Sequence, residues 1–498
     1  MPQKSNLFLM SVLCLGLSGC AMNELSKKYH PDTSVKTIKI PTQWQASLPH
    51  DGKIADLQQF WQQYQDALLL ELIEASQKES ATLAVAKARI AEARSKRVQA
   101  NAALLPALDG LGSASRSKQQ PAISVGDVGS QPGGQGGGGN NTYNSAQIGA
   151  QASWELDIFG ANHATLAAKK TQENAANASW HEARVSVAAE LANAYFNQRF
   201  CVLQLGVLEK DAKSRAASSK LTDIAVNAGF FAPADGHLTR ASEADAAQQF
   251  KAQQAQCDLE VKALVALTGW DEVVLREKLA RQAFSANNPA TDNLFSLNAI
   301  PAQILAQRPD IYAAEADLIT AAAEVKSTYV QGLPKVSLNG SIGWMWLAGL
   351  GFSTNGKTWS IGPVSITFPI YHGGVQAAAL TSAEANYEAS AANYRSKVRQ
   401  AVKEVEDALV NLHSANLRQA DIAVATKGYQ ASFTATETKV KAGFANLIEL
   451  EQQRRSLLLS ETTALNSLKQ RNLVWVSLYR AAGGGWQRVD ETSGESEK

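Results

Sequence analysis

Lys439-Val440-Lys441-Ala442-Gly443-Phe444-Ala445-Asn446-Leu447-Ile448-Glu449-Leu450-Glu451 holds the one break in a long uniform stretch, Gly373 to Trp486. Before it, Val375 to Ala442 contains no proline and a single glycine, Gly428; after it, Asn446 to Ala482 contains neither residue. Breaker-free sequence rich in Ala, Glu, Gln, Lys, Arg and Leu reads as helix far longer than the globular norm. About 68 helical residues at ~1.5 Å each span roughly 100 Å. A chain that reverses at Gly443 and returns therefore makes an antiparallel helical rod, closed by Gly483-Gly484-Gly485-Trp486.

The same arrangement occurs earlier. Ala161 to Ala228 has no proline and only Gly206; Ala228-Gly229-Phe230 repeats Ala442-Gly443-Phe444, and Gly269-Trp270 repeats Gly485-Trp486. Each rod follows a segment of different period. In the first, Ala146, Ile148, Ala150, Ala152, Trp154 and Leu156 alternate with Gln147, Gly149, Gln151, Ser153, Glu155 and Asp157, which marks a strand with one apolar and one polar face. In the second, Val336, Leu338, Gly340, Ile342, Trp344 and Trp346 alternate with polar or small residues. The apolar phase then slips at Gly362-Pro363, from Trp359 and Ile361 to Val364, Ile366, Phe368 and Ile370, as a bulge produces.

The chain thus reads as a tandem repeat. Residues 1–19 form a lipoprotein signal peptide and 20–59 a polar tether. Residues 60–270 form the first repeat: helix, strands near 106–118 and 144–157, and a hairpin with its tip near 228–235. Residues 271–298 form an irregular equatorial segment. Residues 299–486 form the second repeat, with strands near 334–346 and 358–370 and a tip near 442–446, and 487–498 a polar tail. Lys4, the apolar run Leu7 to Leu17 and Leu17-Ser18-Gly19-Cys20 resemble a bacterial lipobox, which makes Cys20 the lipidation site; Ala21 after it favours the outer membrane.

Composition removes several function classes. The 498 residues carry a net charge of +1 and 7% aromatics, so nothing points to nucleic acid. His163, His181, His237, His372 and His413 are scattered without metal spacing or a partnered nucleophile, so no catalytic or metal site and no cofactor is expected beyond the lipid on Cys20. The glycine run 133–139 lacks the Gly-Lys-Ser/Thr of a phosphate loop. Cys201 and Cys257 each lie 28 residues from Gly229, so a hairpin folded about that glycine brings them to one height and allows a disulfide; two buried free thiols are the other reading.

Four strands cannot close a barrel, and an open sheet edge in lipid is forbidden, so closure is expected between copies: eight strands from two, twelve from three. Trp154, Trp344, Trp346 and Trp359 fall near the expected strand ends, where an interfacial girdle sits, or simply pack on the strands.

At this point the chain resembles the outer-membrane efflux factor family of the TolC/OprM type, in its NodT-like lipoprotein branch. The motifs are Trp154-Glu155-Leu156-Asp157-Ile158-Phe159-Gly160, Gln307-Arg308-Pro309-Asp310-Ile311 with Ala314-Glu315, the block Lys441 to Gln453, and Ser477 to Trp486. The resemblance implies an α+β membrane protein. It would be a homotrimer whose 12-stranded β-barrel, four strands per protomer, continues into a long α-helical periplasmic barrel. It implies a passive outer-membrane duct for drugs or other small toxic compounds, working with a periplasmic membrane-fusion adaptor and an inner-membrane pump of the resistance-nodulation-division type. A type I protein-secretion duct and a non-pore structural coiled-coil lipoprotein are the alternatives.

The resemblance also assigns the tips. Gly229, Phe230, Gly443 and Phe444 form hairpin tips at a periplasmic entrance. The family's acidic constriction falls on Glu449 and Gln452, where glutamine replaces the usual aspartate; Glu451 is a nearby substitute that faces about 100° away on a helix. Ile448 occupies an apolar constriction position and Asp235 the equivalent of Glu449 in the first repeat. Arg455 is expected to hold the closed tip, its alternative being an i,i+4 pair with Glu451. Solvated charges on a helical rod are the plain alternative for Glu449 and Asp235.

Overall fold

The computed structural model describes residues 28–29, 41–42, 44–45, 60–118, 142–284, 301–349 and 352–486. The signal peptide, Cys20, most of the tether, the glycine run, residues 285–298 and the tail 487–498 lie outside them. No described helix is long and apolar enough to cross a membrane. The elements are α1 (Phe60–Gln63), α2 (Ala67–Glu79), α3 (Ala81–Ala102), β1 (Ala107–Lys118), β2 (Thr142–Leu156), α4 (Ala161–Asn227), α5 (Pro233–Thr268), α6 (Glu272–Arg281), α7 (Pro301–Ala306), α8 (Pro309–Val330), β3 (Lys335–Gly349), β4 (Phe352–Thr367), α9 (Val375–Lys441) and α10 (Leu447–Ala481). They fall into two compact units: 1–34, 92–173 and 316–391, and 35–91, 174–315 and 392–498.

The first unit contains one four-stranded antiparallel sheet in the order β1-β2-β3-β4, so the central β2–β3 pairing joins the two repeats. Register puts like with like. Val336 pairs with Leu156 and Ile366, Leu338 with Trp154 and Val364, Gly340 with Ala152 and Ile361, and Ile342 with Ala150 and Trp359. The opposite face carries serine pairs across the strands: Ser115–Ser145 at 2.7 Å, Ser337–Ser365 at 2.6 Å and Ser341–Ser360 at 2.8 Å. The register shifts between Leu338 and Gly340, opposite Gly362-Pro363, where the alternation slips. Gly149 and Gly343 are paired at a point of β2–β3 with no room for a side chain: a Cβ on Gly149 would sit 2.5 Å from the Ile342 carbonyl oxygen.

One strand boundary departs from the sequence expectation. β4 starts at Phe352, not near 358, and ends at Thr367, so Trp359 sits at mid-strand while Phe368 and Ile370 lie past the strand. The reason is that Ser353 to Thr358 satisfies its backbone on β3 although its side chains carry no apolar alternation. Trp154 and Trp346 do lie near strand ends; Trp154 Nε1 donates to the Leu104 carbonyl at 3.0 Å and Trp346 Nε1 to Ser353 Oγ at 3.2 Å. The first rod's entry is fixed by Asp157, whose carboxylate accepts from the backbone N–H groups of Asn162 (3.1 Å) and His163 (2.9 Å). That is the work of the aspartate in the Trp154–Gly160 motif.

The second unit is held by an aromatic core. Phe60 stacks on Tyr479 at 4.6 Å, and Trp475, Tyr195 and Phe196 are fully or nearly fully buried. The helical run from Phe60 to Ala103 is broken twice, at Gln65 (φ 53°) and at Ser80, because Asp66 and Ser80 each cap the helix that follows. The expectation of an irregular segment from 271 is corrected by α6: Asp271 caps it through Val273 N–H (2.8 Å), and Leu275 and Leu279 bury one face. That i,i+4 apolar pair behind an N-cap aspartate was a short helix signal among charges. Arg308 locks the second family motif: it donates to both carboxylate oxygens of Asp310 (3.0 and 2.8 Å), to Glu404 (2.8 Å) and to the Ala481 carbonyl at the end of α10 (2.9 Å).

Candidate functional site: the hairpin tips and their buried charges

Both rods turn the same way. Gly229 (φ 80°) donates to Val226 O and Phe230 N–H to Ala225 O; Gly443 (φ 79°) donates to Val440 O and Phe444 N–H to Lys439 O. This is a Schellman ending, in which only glycine takes the left-handed position without strain. The residue after such a glycine commonly folds back onto the helix. Here it does not: Phe230 is 82% exposed and Phe444 84%. The two tips present two free aromatic rings.

Beyond each tip the returning helix starts with a cap. Asn446 Oδ1 accepts from Glu449 N–H at 2.9 Å while Asn446 Nδ2 donates to Glu449 Oε1 at 3.3 Å, and Asp235 accepts from Ala232 N–H at 3.2 Å. Glu449 and Asp235 therefore each close the first turn of their helix, at the positive end of its dipole. Ile448, Glu449, Gln452 and Arg455 are all exposed, as is Leu459. Their spacing of three, four and seven residues lays them along one open stripe of α10.

The opposite face of α10 is closed by charge. Glu451 Oε2 accepts from Ser242 Oγ of α5 (3.0 Å) and Arg215 Nη1 of α4 (3.3 Å), while its Oε1 accepts from Arg454. Arg215 also donates to Asp211 (2.8 Å) and Ser242 (2.6 Å); Arg454 donates to Ser218 (3.1 Å) and lies over the Phe433 ring of α9 at 5.7 Å. All four charged residues are buried, at 4–8% exposure. Two carboxylates and two guanidiniums alternate, so the cluster is neutral overall and joins helices of both hairpins.

Glu451 is thus committed inward, away from the exposed stripe that carries Gln452. Its arginine is Arg454, not Arg455: Arg455 forms no ion pair among the described residues and faces a groove lined by Gln204, Asp245, Gln249 and Leu459. Sequence reasoning missed Arg215, Asp211 and Ser242, and the inward pairing of Arg454. Signals existed: Asp211/Arg215 and Glu451/Arg454 have helical pair spacing, and Arg215 and Ser242 lie 14 and 13 residues from Gly229, the same arithmetic applied to the cysteines. Cys201 and Cys257 are joined, with Cα atoms 5.5 Å apart, and fasten α4 to α5 farther from the tip.

Comparison with known proteins agrees with this architecture. The chain is 27% identical over 428 residues to outer membrane protein OprJ of Pseudomonas aeruginosa, covering 84% of this chain and 85% of that protein. It is 27% identical over 492 residues to the cation efflux system protein CusC of Escherichia coli, covering 96% and 98%. Its fold matches the crystal structure of the Campylobacter jejuni CmeC outer membrane channel with a TM-score of 0.77 at 23% identity, over 92% of this chain and 96% of that one. The family model described as outer membrane efflux protein matches residues 72–270 and 300–484, the two repeats. The chain belongs to the outer membrane efflux protein family.

Proposed function

We propose that three copies of this chain form the outer-membrane duct of a tripartite efflux system, receiving small toxic compounds from a periplasmic membrane-fusion adaptor and an inner-membrane pump of the resistance-nodulation-division class, and passing them out without an energy source of its own. The observation that carries this is the sheet. Leu108, Ile148, Ile342, Trp359, Ile361, Val364 and Ile366 are 59–85% exposed on one face, the other face is lined by serine pairs, and the outer edges of β1 and β4 have no partner among the described residues. An apolar face toward lipid, a polar face toward water and two edges that must pair are what a barrel segment requires. A pore-less scaffold has no use for it. Twelve strands from three copies leave a passage, whereas eight from two fill with side chains. Lipidation at Cys20 would add an anchor in the same membrane.

Cargo is not written in the duct. Relatives at 24–27% identity are named for cation, toluene and antibiotic efflux, so one fold serves unlike compounds and selection falls to the pump. The exposed stripe Ile448, Glu449, Gln452 and Arg455 forms the entrance constriction, and Asp235 plays the corresponding part on the first hairpin. A carboxylate from each of three copies there focuses a negative field on passing cations. Phe230 and Phe444 are the apolar contacts offered to the adaptor. The purified protein reconstituted in a planar bilayer tests this: conductance steps from a crosslinkable trimer are expected. A monomer without conductance would overturn the duct. A deletion strain that stays drug-resistant yet stops secreting a protein would move the cargo to type I secretion.

A further inference from the structure

A groove in the first unit opens where β4 passes into α9. It is walled by Tyr329, Leu333, Pro369, Ile370, Tyr371 and Leu380. Its rim continues the outward phase of β4: Val364, Ile366, Phe368 and Ile370 are 59, 68, 59 and 88% exposed, and Tyr371 85%. The groove is therefore an extension of the apolar face of the sheet past the last strand residue, and it faces the medium that face meets. The left-handed pair Gly373 and Gly374 (φ 60° and 85°) makes the turn that leaves it open.

A second observation identifies what can fill it. Tyr29, in the segment that follows the lipobox, is 6% exposed because it packs edge-on against Tyr387 of α9, with ring centroids 5.1 Å apart. Lys28 Nζ lies 4.7 Å over the Tyr29 ring, on the side of α9 that carries Glu384 and Glu388. This aromatic latch pins the tether seven residues along α9 from Leu380, about 10 Å at the helical rise. Tyr29 lies nine residue steps from Cys20, a span of up to about 30 Å when extended. The latch thus keeps Cys20 within easy reach of the groove.

We propose that this groove seats the acyl chains carried by Cys20, so that the protein's own lipid packs against the end of its sheet. The inference rests on the reading of Cys20 as lipidated. Burying acyl methylenes against this wall removes apolar surface from water on both partners and fixes the anchor laterally to the duct.

The test uses full-length protein in outer membranes of a Gram-negative host fed an alkyne-tagged palmitate, with a photoactivatable benzophenone residue at Leu380 or, in a second variant, at the exposed Tyr371. After irradiation, peptides are mapped by mass. The expected product joins the groove peptide to the acylated peptide that begins at Cys20. Tyr29→Ala lowers its yield by about two- to tenfold, the factor for one lost aromatic pair, with Cys20 acylation unchanged. Crosslinks to phospholipid alone, on protein whose Cys20 carries its acyl chains, overturn the proposal and leave the anchor intact. A Cys20 without acyl chains overturns both.

Discussion

Arg454 and Arg455 are neighbours in sequence and opposites in structure, and this contrast gives the sharpest prediction. Arg454→Ala removes one of three donors to Glu451, the partner of Ser218 and the cation over Phe433. Glu451 keeps Arg215 and Ser242, but the cluster of four charges becomes a cluster of three with a net negative charge, at under 10% exposure. Breaking a buried pair from one side costs about 3–5 kcal/mol, because a charge is left without compensation. Arg455→Ala removes an exposed side chain with no ion pair among the described residues and should stay within about 0.5 kcal/mol. A whole-protein melting temperature is a poor readout in an assembly whose units need not melt together. Amide hydrogen exchange reads the local opening directly. For Arg454→Ala the α5 and α10 amides around 236–246 and 447–457 should exchange faster by roughly two to four orders of magnitude, at 1.36 kcal/mol per tenfold, and those of Arg455→Ala should match wild type. The double variant Glu451→Leu/Arg454→Met should recover most of the protection, since an apolar pair replaces an ionic one at little net cost. Equal effects from the two alanine variants would refute the assignment of Arg454 to the buried cluster.

Three further outcomes are expected. Glu449→Ala should abolish most cation block of bilayer conductance while leaving conductance without blocker; unchanged block sinks the constriction role, and loss of the helix cap alone costs only about 1 kcal/mol. Cys201→Ser/Cys257→Ser should lose up to about 4 kcal/mol from the α4–α5 hairpin, the chain-entropy value for a separation of 56 residues, and alkylation of unreduced wild-type protein should find no free thiol at either position. At Asp310, burial pushes the carboxyl up, but the Arg308 hydrogen bonds and charge outweigh it and hold the group below its ordinary range. Its stabilisation is therefore present above the unfolded carboxylate pKa and is lost as pH falls through the lower folded value; Asp310→Asn should flatten the acid limb of a tryptophan-fluorescence titration, and an unchanged limb counts against the lock.

The rods, the tips and the strand alternation were legible because each has a local cause: absence of breakers, a left-handed glycine, a period of two. The bulge at Gly362-Pro363 was legible for the same reason. Less local features were not. The outer half of β4, Ser353 to Thr358, is strand because β3 supplies its partners, which no property of its own side chains reveals. Helix α6 was hidden by charge, since only Leu275 and Leu279 of its ten residues face the core. At the site, counting from the turn glycine located the exposed stripe, but that Glu451 pairs with Arg454 and not with Arg455 was not legible, because facing depends on which neighbour each residue meets. Arg308 was recognised only as a motif. Its contact with Ala481, 173 residues away, is what gives that motif a physical task.

The two faces of α10 suggest how a tip can be both firm and movable. On the inner face, four buried charges of alternating sign bind α4, α5 and α10 together, and each must keep a partner, so the three helices move as one body or pay several kcal/mol to separate. On the outer face, Ile448, Glu449, Gln452 and Arg455 have no such commitments; Glu449 is engaged only by its own cap. Opening that moves both hairpins of a chain together breaks nothing inside that chain, while opening that parts α10 from α4 must break the cluster. The Arg454 variant separates these routes. If the two hairpins of a chain move as one body, it leaves single-channel conductance of the open state unchanged while loosening exchange; if α10 must part from α4, it raises the open fraction as well.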